Sequence, residues 1–266
     1  MDTLFSLAES ILYRSTREQV IDRTRAAQQL LDQVALDLTS DCSIRSVTEV
    51  CFPTRPVLLP PRDMPKRGLN SPEGKAAFFH ALAHIEFVAI YLAWDIIYRF
   101  RALPEAFYRD WLKVAIEEAE HFQMLRHHLR QFGVDYGDLP THRGLWNHAI
   151  DSADDLLARL AIVPRCMEAR GLDVTPAMIE KFQNIGDNTS VEILSKILQD
   201  EIGHVKTGSF WFKFFCTQQQ KDFEQTYRQL LNKYYTGKPK GPFNRKMRII
   251  AGFTPDEIDW LEQLHE

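Results

Sequence analysis

Residues 117–121 read Glu-Glu-Ala-Glu-His, and residues 200–204 read Asp-Glu-Ile-Gly-His. Each stretch holds a Glu-x-x-His pair: Glu118 with His121, and Glu201 with His204. On an α-helix, side chains three apart share a face, so a carboxylate and an imidazole there can reach one metal ion together. Alone the pattern is weak, and the chain carries its own control. Glu262-Gln-Leu-His265 matches too, yet it lies on a short helix at the C-terminal end and reads as surface.

Spacing changes the weight of the other two. Glu86 and Glu118 are 32 residues apart, with their midpoint at Ala102, in the turn before Pro104. Glu168 and Glu201 are 33 apart, with their midpoint at Asn184–Ile185, in the turn Asn184-Ile185-Gly186-Asp187. In an antiparallel helix pair, positions equidistant from the turn sit level. Each hairpin therefore sets one lone Glu beside one Glu-x-x-His pair, and the chain does this twice. That is the side-chain set of a two-metal centre in a four-helix bundle.

The flanking residues agree. The Glu86 face carries Phe79, Leu82, Ala83, Ile90 and Ala93; the Glu118 face carries Trp111, Val114, Ala115, Phe122 and Leu125; the Glu201 face carries Leu194, Ile197, Leu198, Val205 and Gly208. A carboxylate inside such a stripe costs several kcal/mol unless it is paired or metal-bound. The bland alternative is a set of surface ion pairs on amphipathic helices. An acid precedes each motif, and a ligating histidine usually gives its second N–H to a carboxylate. Asp200 and Glu117 are therefore expected as supporting partners, Asp200 to His121 and Glu117 to His204.

These residues resemble the ferritin-like superfamily of di-iron carboxylate proteins, which includes ferritins, ribonucleotide reductase small subunits, multicomponent monooxygenases and tRNA hydroxylases. The stretches HALAHIEFVAIYLAWD, EEAEHFQMLRHHL, YGDLPTHRGLW, LARLAIVPRCMEARGLDVTP and QDEIGHVKTGSFWF, within about residues 70–215, look like an uncharacterised bacterial family of ferritin-like domain proteins. The resemblance implies two metal ions, iron with manganese as the alternative, held by Glu86, Glu118, His121, Glu168, Glu201 and His204. It implies no substrate.

The rest of the chain fits an all-α, ferritin-like four-helix bundle with a long crossover and helical extensions at both ends. The expectation is a single domain over 1–266: helices and a Pro-rich arm over 1–70, the core over 71–217, and C-terminal helices over 218–266. Two helices are expected within 1–40. Cys51–Gly68 holds five of the 13 prolines, Pro53, Pro56, Pro60, Pro61 and Pro65, and reads as an extended arm. Ser71-Pro72 opens a helix to about Phe100, and Pro104 opens another to Gly133. After the crossover 134–148, a third helix over about 151–171 is expected to kink at Pro164. A short helix should follow Thr175-Pro176. Thr189 with Glu192 forms an expected capping box for a fourth long helix. Helices at 219–235 and 254–264 flank a basic loop.

Only 12 of 266 residues are Gly, as long helices require, and the net charge of −4 argues against general nucleic-acid binding. Cys42, Cys51, Cys166 and Cys216 contain no CxxC pair and read as free thiols in a cytoplasmic protein. No long apolar run without charges is present, so no membrane span is expected. His80 and His84 read as supporting or capping residues, Tyr91, Trp94 and Tyr98 as core, and Arg165 and Arg170 as shaping an entrance with the Gly137–Gly144 loop. Lys238, Lys240, Arg245, Lys246 and Arg248 form a local basic cluster.

The expected function is O2-dependent oxidation or hydroxylation of a small molecule with an external reductant. No catalytic residue is identified beyond the ligands. The alternatives are iron handling without substrate oxidation, tRNA modification with the RNA gripped through 238–248, and a helical interaction protein with a stabilising metal site. A homodimer is left open.

Overall fold

The structure is a computed structural model and describes residues 3–40, 43–64, 68–69, 71–235 and 239–264. Cys42, Pro65, Lys238 and His265 lie outside the described residues. The chain is all-helical, and the nearest thing to a sheet among the described residues is one isolated parallel bridge. Contacts divide it into two compact units, Met1–Ile150 and Asp151–Glu266.

In the first unit, α1 (Leu4–Arg14), α2 (Arg17–Ala26) and the short α3 (Gln28–Leu31) occupy the N-terminal region. There are three helices here where two are expected; the third is a single turn that α2 runs into at Ala27. The arm is extended as its prolines require. It is fastened by Leu59 N–H to the Thr141 carbonyl (2.7 Å) and Thr141 N–H to the Val57 carbonyl (2.9 Å). The centre of the unit is the antiparallel pair α4 (Pro72–Arg99) and α5 (Glu105–Arg130). Ser71 caps α4 by accepting from the Gly74 N–H at 3.1 Å, with Pro72 in the first turn. The hairpin turn contains Ala102 at φ +56°, the left-handed backbone that reverses the chain before Pro104.

α4 is buried on nearly every side, the pattern of a central helix. Its length and hydropathy would suffice to cross a membrane, but 67% of its most apolar window is buried within the protein, as in a core helix. Polar groups inside are paired: Trp94 Nε1 donates to Thr24 Oγ1 (2.8 Å), and Arg99 pairs with Asp95 at 2.6 Å. Helix α6 (Gly144–Asp151) closes the unit.

The second unit opens with α7 (Leu156–Ile162), capped by Asp155, which accepts from the Ala158 N–H at 3.0 Å. A π-helical turn, Val163–Glu168, follows around Pro164 and leads into α8 (Ala169–Asn184). The expected kink is thus an extra residue in the turn. Proline lacks the N–H that α geometry uses, and a wider turn accommodates the loss.

α8 runs straight through Pro176 instead of restarting after it. Leu172 and Phe182, fully buried on either side, hold the helix across the missing bond. After a turn with Gly186 at φ +71°, α9 (Asn188–Gln218) is capped by Asp187, which accepts from the Ser190 N–H at 3.2 Å. The cap therefore lies two residues before the expected Thr189–Glu192 box.

α10 (Phe223–Tyr234), α11 (Arg245–Ile250) and α12 (Pro255–Gln263) complete the unit. Thr254 and Glu257 form a reciprocal capping box on α12. Close packing fixes the π turn on α9: a Cβ at Gly208 would fall 2.4 Å from Pro164 Cβ, so only glycine fits there.

Candidate metal centre

In the first unit the α4–α5 hairpin delivers what the mirrored spacing requires. Glu86 on α4 and Glu118 and His121 on α5 each offer a donor atom within 4.8 Å of the others. His121 Nδ1 lies 3.4 Å from Glu86 Oε2 and 3.5 Å from Glu118 Oε2. All three side chains are buried, with Glu118 wholly so.

The electrostatics follow from that burial. Removal from water, then the like charge of Glu118, pushes the Glu86 carboxyl well above its usual range; the hydrogen bond with His121 pulls it partly back. Two carboxylates and an imidazole form a donor set that suits iron, manganese or zinc. A divalent cation among them replaces repulsion with attraction, so the donors fit a metal.

In the second unit, α9 carries Glu201 and His204 on one face, with His204 Nδ1 3.7 Å from Glu201 Oε1. His204 is buried, and Glu201 is 13% exposed at its side chain. Glu168 is half-buried and ends the π turn, which packs on α9. π turns recur at functional positions, because the extra residue re-aims the side chains that follow.

Of the two supporting acids, Asp200 accepts from Lys196, and Glu117 lies 3.6 Å from Lys113. Both of these are contacts one helical turn away on the same helix.

His80 and His84 belong to the packing of the crossover loop. His80 Nε2 accepts from the Gly137 N–H (2.9 Å) and the Leu139 N–H (3.4 Å). His84 Nδ1 is 2.9 Å from the Tyr136 hydroxyl, and its Nε2 is 3.1 Å from the His142 carbonyl. Burial lowers both imidazoles to about 4, so they are neutral at pH 7. Tyr91, Trp94 and Tyr98 are core residues. Burial pushes the Cys166 thiol up to about 12 and the Cys216 thiol to about 11, which makes both poor nucleophiles.

Arg165 does not line an entrance. It is fully buried, with Nη2 2.7 Å from Glu257 Oε1 and Nε donating to Ser209 Oγ at 3.2 Å. Its guanidinium lies over the rings of Tyr227 (4.3 Å), Phe253 (4.7 Å) and Phe212 (4.8 Å). Two of the five residues of the basic cluster are paired with acids. Arg248 is buried against Asp173 at 2.7 Å, and Arg245 pairs with Asp259 and Glu262, both at 2.7 Å. Spacing along the chain gave no sign of these partners, which come from other helices.

A family profile described as "Protein of unknown function (DUF455)" matches residues 14–259. A Haemophilus influenzae relative described as an uncharacterized protein is 44% identical over 222 residues, covering 81% of this chain and 77% of its own length. No solved structure matches.

Proposed function

The chain belongs to the DUF455 family, and from that premise we propose that it is a dinuclear metal carboxylate protein that oxidises or hydroxylates a small molecule with O2. The observation that carries this reading is the buried Glu86–Glu118–His121 cluster. Three ionisable groups in one dry site are costly without a cation and favourable with one. In this proposal Glu168, Glu201 and His204 supply the matching set. The helices α4, α5, the α7–α8 run and α9 make up a ferritin-like four-helix bundle within a single domain over 1–266. The support for the second set is the repeated Glu and Glu-x-x-His spacing in sequence and the packing of the π turn on α9.

Two iron ions held by Glu86, Glu118, His121, Glu168, Glu201 and His204 would supply the redox chemistry for O2, with an external reductant as the source of the electrons that return the site to its reduced state. The chain's own contribution is to fix the imidazoles, exclude water and accept the charge of the ions on four carboxylates.

Metal analysis of freshly purified protein tests the site. About two ions per chain are expected, with a loss in Glu118→Ala and Glu201→Ala. Far fewer than two after anaerobic iron loading would overturn it. Oxygen uptake by the chemically reduced, iron-loaded protein tests the activity: no uptake rejects oxidation while leaving metal binding standing.

A further inference from the structure

Within the second unit, α11 packs on α9. The joint is close: a Cβ at Gly252 would fall 2.9 Å from Ser209 Cβ, and Lys213 Nζ donates to the Gly252 carbonyl at 2.7 Å. Arg248, buried against Asp173 at 2.7 Å, and the fully buried Ala251 fix which side of α11 faces inward. At about 100° per residue, Lys246, Ile249 and Ile250 then share the outward face. All three are exposed there, Ile249 by 47% and Ile250 by 51%.

Phe210 follows the Ser209 that Gly252 touches, and it is 57% exposed. Its ring rests on Trp211 (5.0 Å between centroids) and Phe214 (6.3 Å). Exposed apolar side chains scattered singly are ordinary, whereas three at one joint mark a surface that something covers.

Charge says what covers it. Lys206 is exposed one turn before Phe210, and Lys246 is exposed one turn before Ile249 and Ile250. No Asp or Glu lies within four residues of either lysine. Neither enters an ion pair among the described residues, whereas Lys196 and Arg245 in the same unit do. Of the acids on α12, Glu257 is held by Arg165, and Asp259 and Glu262 by Arg245. Only Asp256 of that helix is left without a basic partner among the described residues.

A lysine lays its stem along apolar surface and carries its ammonium group outward. Apolar tips with lysines beside them suit an anionic bilayer, which offers acyl chains below and phosphates above. Nucleic acid is matched less well, since isoleucine presents no flat face on which a base can stack. We propose that the joint of α9 and α11 is a peripheral docking site for an anionic lipid surface. Phe210, Ile249 and Ile250 enter the acyl boundary, and Lys206 and Lys246 hold headgroup phosphates. The docking site uses no metal ligand and stands apart from the function proposed above.

Flotation of the full-length protein with lipid vesicles tests it. Vesicles of phosphatidylglycerol and phosphatidylcholine in equal parts should capture the protein, and capture should weaken as salt is raised. Pure phosphatidylcholine should bind at least about tenfold more weakly. Phe210→Glu and Ile249→Glu should each weaken binding about tenfold or more, and Lys206→Gln and Lys246→Gln about fivefold each. All four side chains are exposed, so the variants keep the fold, and an unchanged melting temperature checks this. Insertion has its own readout: brominated lipid should quench the fluorescence of Ile249→Trp more than that of the wild type. No capture by the anionic vesicles, no loss in the two Glu variants, or no added quenching would each overturn the proposal. Binding of tRNA without vesicle capture, lost in Lys246→Gln and kept in Ile249→Glu, would assign the face to nucleic acid instead. A halving of mass in Ile249→Glu by analytical ultracentrifugation, again without vesicle capture, would assign it to a second copy of the chain.

Discussion

His121 Nδ1 stands 3.4 Å from Glu86 Oε2, in a hairpin that joins two residues 35 apart in sequence and leaves neither in water. The Glu86 carboxyl is raised from its usual 4.5, chiefly by burial and next by Glu118. Below pH 4.5 Glu86 is protonated in both folded and unfolded protein and costs nothing. As pH rises from 4.5 through the raised folded value, the unfolded chain ionises first and stability is lost. Metal-free protein is therefore expected to weaken as pH rises above 4.5, and Glu86→Gln should weaken less over the same rise. Urea unfolding in the presence of a chelator measures this. Parallel pH curves for the two proteins would remove the idea. Added Mn(II) should raise the melting temperature of the wild type and leave the variant unmoved, since the variant lacks one anionic ligand.

His80 gives the opposite slope. Its Nε2 lone pair accepts two loop N–H groups, and burial lowers the imidazole from 6.5 to about 4. Above pH 6.5 both states are neutral. As pH falls from 6.5 towards 4 the unfolded chain takes up a proton that the folded one refuses, and stability drops by up to about 3 kcal/mol. His80→Gln keeps an acceptor and cannot titrate. The difference between wild type and variant in unfolding free energy should therefore change by about 2–3 kcal/mol across that window. A constant difference would show that His80 does not titrate this way.

Gly208→Ala should cost about 1–3 kcal/mol, because the new Cβ would meet the Pro164 ring at 2.4 Å. Pro164→Ala removes Cγ of that ring, a second close contact at 2.5 Å, so the combined variant should lose less than the sum of the two single changes. Strict additivity by thermal denaturation would mean that the contact is not the cause.

Arg165→Met should destabilise by about 3–5 kcal/mol, since it leaves Glu257 charged and buried without its 2.7 Å partner. Arg165→Met with Glu257→Gln should recover a large part of the loss, because no uncompensated charge remains. A double variant no more stable than Arg165→Met would argue instead for the lost ring contacts.

The turns were legible because their chemistry is local. Ser71-Pro72, Asn184 to Asp187 and the residues before Pro104 each restrict the backbone by their own sterics. Apolar stripes at helical spacing gave α4, α5 and α9 for the same reason. The cap at Asp187 and the continuous α8 were not legible. Two acceptors, Asp187 and Thr189, lie near the same helix start, and buried neighbours decide whether Pro176 interrupts a helix.

The sequence by itself determined an all-helical chain and the grouping of Glu86 with Glu118 and His121, since helical pitch and distance from a turn are functions of position along the chain. It also placed Glu201 beside His204. Only the tertiary structure decided which charges are occupied. Arg165 and Arg248 read as exposed basic residues, and they are buried against Glu257 and Asp173, 92 and 75 residues away. Lys246 read as one more charge of a basic loop, and it stands beside the exposed Ile249 and Ile250 where α11 meets α9. The physical reason is the same in each case. The identity of a charged side chain sets what it can bind, but which partner reaches it depends on packing between segments distant in sequence.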